Sequence, residues 1–220
     1  MEAIRIHDYA AVQLDDFTII KRVLSGEREL FEVLLRRYNQ TLFRVIRSYL
    51  RDEDEIRDAM QNAYLKAFER LYQFRGNAAF STWLVRIGIN EALQRLKAIQ
   101  RDRHAIMFDA SDEIVNRIPD KQMNAEKAII DREAKQILEQ AIDRLPEKYR
   151  VVYMLKEVER LSNEQVAECL GLSDSNVKVR MHRAKILLKE SLYKLSTTAE
   201  VFEFGKGRCD EMVRLVLDGI

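Results

Sequence analysis

Apolar residues at Phe31, Leu34, Leu35, Tyr38, Leu42, Val45, Ile46 and Tyr49 recur three and four positions apart, which predicts an amphipathic helix over 31–49. The stretch 54–72 repeats the pattern with Ile56, Ala59, Met60, Ala63, Leu65, Ala67, Phe68 and Leu71. A break follows at FRGNAAFS, where Gly76-Asn77 signals a turn. Ser81 or Thr82 can then cap a helix running through WLVRIGINEALQRLKAIQR. These segments predict a helical bundle ending near residue 103. From 104 to 126 the periodicity fades around Pro119 and scattered acids, and the segment reads as a linker.

Periodicity returns over 127–145, with Ile130, Ala134, Ile137, Leu138, Ala141, Ile142 and Leu145. Pro146 stands where a new helix would begin, a position its fixed φ suits. Ser162 opens a capping box with Gln165 and starts the short helix NEQVAECL, broken at Gly171-Leu172. A last helix is expected from about Ser175 to Leu195. The fold class is therefore all-α: two small helical domains, 26–103 and 127–195, joined by the 104–126 linker. A lead-in, 1–25, and a tail, 196–220, flank them. The tail carries a short amphipathic stretch that includes Cys209, Met212, Val213, Val216 and Leu217.

Composition narrows the class. With 220 residues, two Pro, seven Gly and 33% charged residues, the chain reads as helical and cytoplasmic, with no run long enough to insert in a membrane. Its two cysteines, Cys169 and Cys209, have no CxxC partner, so neither a disulfide framework nor a zinc site is expected. Three scattered His, no nucleophile-base set and no phosphate loop argue against an enzyme and against a cofactor or metal. Net charge is only +1, but the charges come in blocks. Residues 52–58 hold five acids against one Arg, 86–103 five bases against two acids, and every charged residue of 176–189 is basic.

The last block explains ECLGLSDSNVKVRMHRAK. In a helix-turn-helix two short helices cross closely, so the first carries a small residue, the turn tolerates positive φ, and the second plants a branched residue in the core. Ala167, Gly171 and Val177 fall at those positions, with Val166, Leu170 and Leu172 completing the core. Fixing Val177, Met181 and Ala184 inward turns Asn176, Lys178, Val179, Arg180, His182 and Arg183 outward. A basic helix so presented fits the major groove of B-DNA.

Three stretches together resemble the bacterial sigma factors of the extracytoplasmic-function (group 4) type, over about residues 26–195. They are DAMQNAYLKAFERLYQF, then FRGNAAFSTWLVRIGIN (similar to "f.g...f.tWL.rIa.N"), then LPEKYRVVYMLKEVERLSNEQVAECLGLSDSNVKVRMHRAK (similar to "LP...r.v..L...eg.s..EIA..lg.s..tVk.rl.RA"). The resemblance implies a protein that binds core RNA polymerase at its β′ clamp and β flap. It would direct the polymerase to promoter DNA, help open the duplex, and be held in check by an anti-sigma protein.

On that resemblance, Ser175, Asn176, Lys178, Val179, Arg180, His182 and Arg183 would meet the −35 element, although the family often has Thr where Asn176 stands. Phe74, Arg75, Asn77, Asn90 and Arg95 would meet the −10 element, the 74–77 loop capturing a flipped base. Phe80 and Trp83 read better as core. Asp54, Asp58 and Gln61 would dock on polymerase, whereas Asp52 and Glu53 could equally complement the helix dipole. Two rivals remain at this point: a stand-alone helix-turn-helix regulator, which leaves WLVRIGIN unexplained, and a helical adaptor whose basic face meets acidic protein.

Overall fold

The computed structural model describes residues 14–106 and 125–197. Of the linker expected over 104–126, residues 107–124 lie outside the described residues, while 104–106 belong to the helix before it and 125–126 to the helix after it. Of the tail expected over 196–220, residues 198–220, Cys209 included, lie outside them. Among the described residues the chain forms helices and no strand. The helices are α1 Asp16–Leu24, α2 Phe31–Arg47, α3 Glu53–Glu69, α4 Phe80–Ile106, α5 Ala125–Asp143, α6 Glu147–Tyr153, α7 Asn163–Leu170 and α8 Asp174–Thr197. One compact unit contains the described residues up to 106 together with 145–185. A second contains α5 and the end of α8, with Ala141 and Leu188 buried.

The stripe expected over 31–49 is the inner face of α2: Leu34, Leu42, Val45 and Ile46 are all at most 1% exposed. Each such side chain contributes on the order of 1.5–3 kcal/mol by leaving water. α3 buries Ile56, Ala59, Ala63 and Ala67, and small residues there let α4 lie close. Leu65 and Phe68, read from sequence as part of that stripe, are 53% and 37% exposed instead. They fall on the side of the helix away from its alanine seam, where Phe68 meets the Phe31 ring edge-on at 5.1 Å between centres, and periodicity alone could not say that this side stays largely open to solvent.

α4 begins at Phe80, so Ser81 and Thr82 sit inside the helix rather than capping it. Thr82 is 1% exposed, its hydroxyl accepting from Gln165 Nε2 at 3.4 Å. Gly88 governs the approach of α4 to α2. A Cβ there would run into Leu42 Cδ1 and stand 3.7 Å from Ile46 Cδ1. Leu42 is fully buried and has nowhere to retreat.

Helix α1 lies in the expected lead-in, for which the sequence reading assigned no element. Asp15 caps it by accepting from the Thr18 N–H at 3.0 Å, and Ile19, Ile20 and Val23 bury its inner face. Asp16 pairs with Arg37 and accepts from the Tyr38 hydroxyl. Burial and that carboxylate push the Tyr38 phenol well above its usual range.

Residues 145–185 pack on the α2–α4 bundle within the same unit. Arg150, 8% exposed, donates from Nε to the Ser48 carbonyl at 2.7 Å and from Nη1 to the Leu145 carbonyl at 3.3 Å. Ser48 is the C-cap of α2, so the cation meets a carbonyl the helix leaves unpaired, at the negative end of its dipole. Glu159 accepts from Thr41 Oγ1 at 2.7 Å and from Arg44 Nη1 at 3.2 Å. Pro146 precedes α6 as expected, and a π-helical turn over Met154–Val158 follows it. Arg160 then takes φ 56°, a left-handed backbone, at the place where the family pattern carries Gly.

Two substitutions should shift stability in opposite directions. Gly88→Ala gains helix propensity worth about 1 kcal/mol, yet overpacking against Leu42 should lower stability by about 1–3 kcal/mol in a urea melt. Arg160→Gly relieves a left-handed side chain and should raise stability by about 1 kcal/mol in the same melt.

Candidate nucleic-acid interface

The helix-turn-helix is built as its sequence requires. Ser162 Oγ accepts from the Gln165 N–H at 3.1 Å while Gln165 Oε1 accepts from the Ser162 N–H at 2.8 Å, closing the capping box. Gly171 ends α7 at φ 63°, and the Leu172 N–H returns to the Ala167 carbonyl at 2.9 Å, the six-to-one bond of a left-handed C-terminus. Ser173 caps α8: its Oγ accepts from the Asn176 N–H at 3.3 Å. Ser175 therefore lies in the first turn, exposed.

Val177 and Ala184 are fully buried and Met181 is 9% exposed, so α8 has the inward face expected. Asn176, Lys178, Val179, His182 and Arg183 are exposed, and Arg180 is half-buried with Nε donating to Asn176 Oδ1 at 2.8 Å. Asn176 and Arg180 therefore act as a joined pair. Lys178 contacts Asp174 at 2.7 Å, an exposed i,i+4 pair that contributes little and is easily exchanged for a phosphate. Arg183 is exposed, so its guanidinium is accessible from solvent. Val179, 62% exposed, sets an apolar patch amid these cations.

A second surface surrounds the turn after Leu71–Gln73. Phe74 is half-buried, its ring edge-on to Phe80 at 86° and 5.7 Å and tilted against Trp83 at 5.6 Å. It anchors the turn, with Phe80 2% exposed as the core residue expected. Arg75, Gly76 and Asn77 project from this aromatic base into solvent, with Gly76 at φ 74°.

Asn90 is exposed on α4 and lines a groove of 270 Å³ together with Lys66, Arg70, Gln94 and Lys97. Lys66 Nζ lies 2.6 and 2.7 Å from the two oxygens of Glu91, which is 7% exposed. Arg95 pairs with Glu55 and lies 3.5 Å from Asp58, tying α4 to α3. Its guanidinium is thus already engaged by carboxylates.

The acidic block resolves into two roles. Asp52 is the N-cap of α3, accepting from the Asp54 and Glu55 N–H groups at 3.0 Å each. Asp54, Asp58 and Gln61 are exposed at four- and three-residue spacing, on one face. The same face continues through Leu65, Phe68 and, beyond the helix, Tyr72, which is 70% exposed. Sequence reasoning named the acids but missed this apolar continuation. Its only signal was apolar residues off the alanine seam.

Cys169 is buried, its Sγ 3.7 Å from the Thr82 carbonyl. Burial pushes its thiol up to about 12, which keeps it protonated and unreactive near neutral pH. Among the described residues no group of His, Cys, Asp and Glu could hold a metal ion, and no helix is long and apolar enough to cross a membrane.

Two family models match the chain: sigma-70 region 2 over residues 34–102, and sigma-70 region 4 over 135–188. The RNA polymerase sigma-H factor of Pseudomonas aeruginosa is 32% identical over 190 residues, covering 83% of this chain and 96% of that protein. The chain belongs to the extracytoplasmic-function sigma factors. The sigma-E factor of Escherichia coli K12 is also 32% identical, over 176 residues, covering 79% of this chain and 92% of its own length.

Among solved structures, CnrH in complex with the cytosolic domain of CnrY shares the fold at a TM-score of 0.56 with 23% identity, over 81% of this chain and 97% of that one. The sigma factor RpoE of Bartonella quintana, solved with the anti-sigma factor NepR, does so at 0.61 with 21% identity, over 74% and 96%. In this sigma factor the region 2 match spans α2–α4 with the 74–77 turn and Asn90, and the region 4 match spans the helix-turn-helix. Both matches on one chain set aside a stand-alone regulator, whose helix-turn-helix would need no region 2.

Proposed function

We propose that this protein, as a sigma factor, docks on core RNA polymerase through the exposed face of α3 and reads promoter DNA through two separate surfaces. The observation that carries the reading is the pairing of an outward, exposed basic helix on a fully capped helix-turn-helix with a region 2 bundle on the same chain. Its part is recognition rather than chemistry, exercised in the cytoplasm. Residues 26–103 serve as the −10 and polymerase-binding domain and 127–195 as the −35 domain.

Within that division Arg183, Lys178 and the Asn176–Arg180 pair meet the −35 duplex, with Ser175, Val179 and His182 beside them. Arg183 and Arg180 suit guanine edges, and Lys178 a phosphate. Asn90 and the Arg75–Asn77 turn meet the separating −10 strand. Phe74 supports the turn from within, and Arg95 holds α4 against α3 while facing the same strand. Asp54, Asp58 and Gln61 give the docking face its polar end, and Leu65, Phe68 and Tyr72 its apolar end, the composition expected where a partner covers the surface. An anti-sigma protein belongs to the same reading, since the Bartonella quintana relative is solved with one.

The deciding experiment is run-off transcription with purified core polymerase on a pool of genomic fragments, with and without the protein. Discrete transcripts only in its presence are expected. No transcripts, combined with no retention on immobilised core, would remove the reading. Leu65→Asp, on an exposed position, should abolish retention on core without lowering the melting temperature. Arg183→Ala should reduce transcription from the cognate promoter by roughly 5- to 150-fold, the equivalent of ~1–3 kcal/mol, through weaker −35 binding.

A further inference from the structure

We propose that Phe17 and Lys21 of α1 form one wall of the site that receives an unstacked base beside the 75–77 turn, the ring stacking on the base and the ammonium meeting its phosphate. The inference rests on the reading of that turn as the −10 contact. It assigns a role to a helix that the sequence treated as a lead-in and that lies outside the matched region 2.

The inner face of α1 accounts for Ile19, Ile20 and Val23, which are 0, 2 and 5% exposed. Phe17 lies off that face and is 47% exposed, so packing of α1 on the bundle does not place it. What lies beside it is the turn: a side chain begun at Gly76 would stand 3.6 Å from Phe17 Cε2 and 3.8 Å from Cδ2. The ring thus lies along the backbone from which Arg75 and Asn77 project.

The turn's own aromatic cannot take this part, because Phe74 is half-buried against Phe80 and Trp83. Lys21 completes the arrangement, its Nζ 4.3 Å from the centre of the Phe17 ring. An exposed ring with an exposed cation over it offers, within a few ångströms, the two groups that hold one nucleotide: a π-face for the base and a charge for the phosphate. The platform is firm. Asp15 caps α1, Asp16 is bound to Arg37 and Tyr38, and Arg37 Nη2 donates to the Leu14 carbonyl at 3.0 Å.

A plain alternative is that the ring props the glycine turn and touches no DNA, and the test separates the two. Holoenzyme assembled from the full chain and core polymerase is titrated with a fluorescent single strand carrying the −10 segment of a promoter found by run-off transcription. The titration is repeated with that strand made abasic at each position in turn. Phe17→Leu, which keeps apolar bulk against the turn but loses the π-face, should weaken binding about tenfold. The loss should vanish on one abasic strand only, and Phe17→Trp should bind as the wild type does. Lys21→Gln should reduce the salt slope by about one ion.

Wild-type binding by F17L, or an equal loss on every abasic strand, would overturn the inference in favour of a prop. Phe17 and Lys21 are both exposed, and unchanged melting temperatures certify the fold of the variants. The double variant Arg75→Ala/Asn77→Ala reports on the underlying reading. If it binds as tightly as the wild type, the turn is not the −10 contact. If it weakens while F17L does not, only the role of Phe17 fails.

Discussion

The place of α4 in the bundle hangs on how closely it can approach α2, and that approach is set by the missing side chain of Gly88 against Leu42. Close-packed interiors transmit small misfits, because there is no free volume in which to absorb them. The 75–77 turn precedes α4 and Asn90 follows Gly88 by two residues on it, so displacing the helix would move both. The alanine seam of α3 does for the other side of α4 what the glycine does for α2, and leaves α3 free to turn its opposite face outward.

The second constraint is polar. Arg150 brings a charge into a nearly dry position, which is tolerable only because carbonyls at a helix end receive it. Ser48 supplies one such carbonyl, so α2 gains a cation at its C-terminus and residues 145–185 gain an anchor on the bundle. Glu159 on Thr41 and Arg44, and Gln165 and Cys169 on Thr82, add to the same contact. Buried polar groups of this kind make one arrangement far better than near neighbours, since a small shift would leave a donor or carboxylate unpaired.

The helix-turn-helix was legible because its signals are local. A capping box, a left-handed glycine and a branched residue six positions on are satisfied within a few turns of backbone, and each appears as the sequence implies. The same holds for the cation-rich face of α8, which follows once Val177 and Ala184 are fixed inward. Arg180 was the partial exception. Its partner Asn176 lies one turn away, but its half-burial is a tertiary outcome that the helical pattern does not state.

What depended on distant chain was not legible. Periodicity counted Leu65 and Phe68 as core because a helix cannot announce which side will stay largely open to solvent. The cap expected at Ser81 or Thr82 did not form: the helix starts at Phe80, and Thr82 is buried inside it with its hydroxyl on Gln165, 83 positions away. α1 escaped notice although Asp15 and the Ile19, Ile20, Val23 spacing were in view, since so short a helix is stable only through the bundle it packs on.

The sequence by itself determined the helical class, the family and the chemistry of the recognition helix, because spacing, caps and charge act over one or two turns. The tertiary structure alone decided which apolar residues stay exposed and which charges are already paired. It alone brought the Phe17 ring beside Gly76, because those outcomes depend on contacts between segments tens of residues apart, which no local pattern encodes.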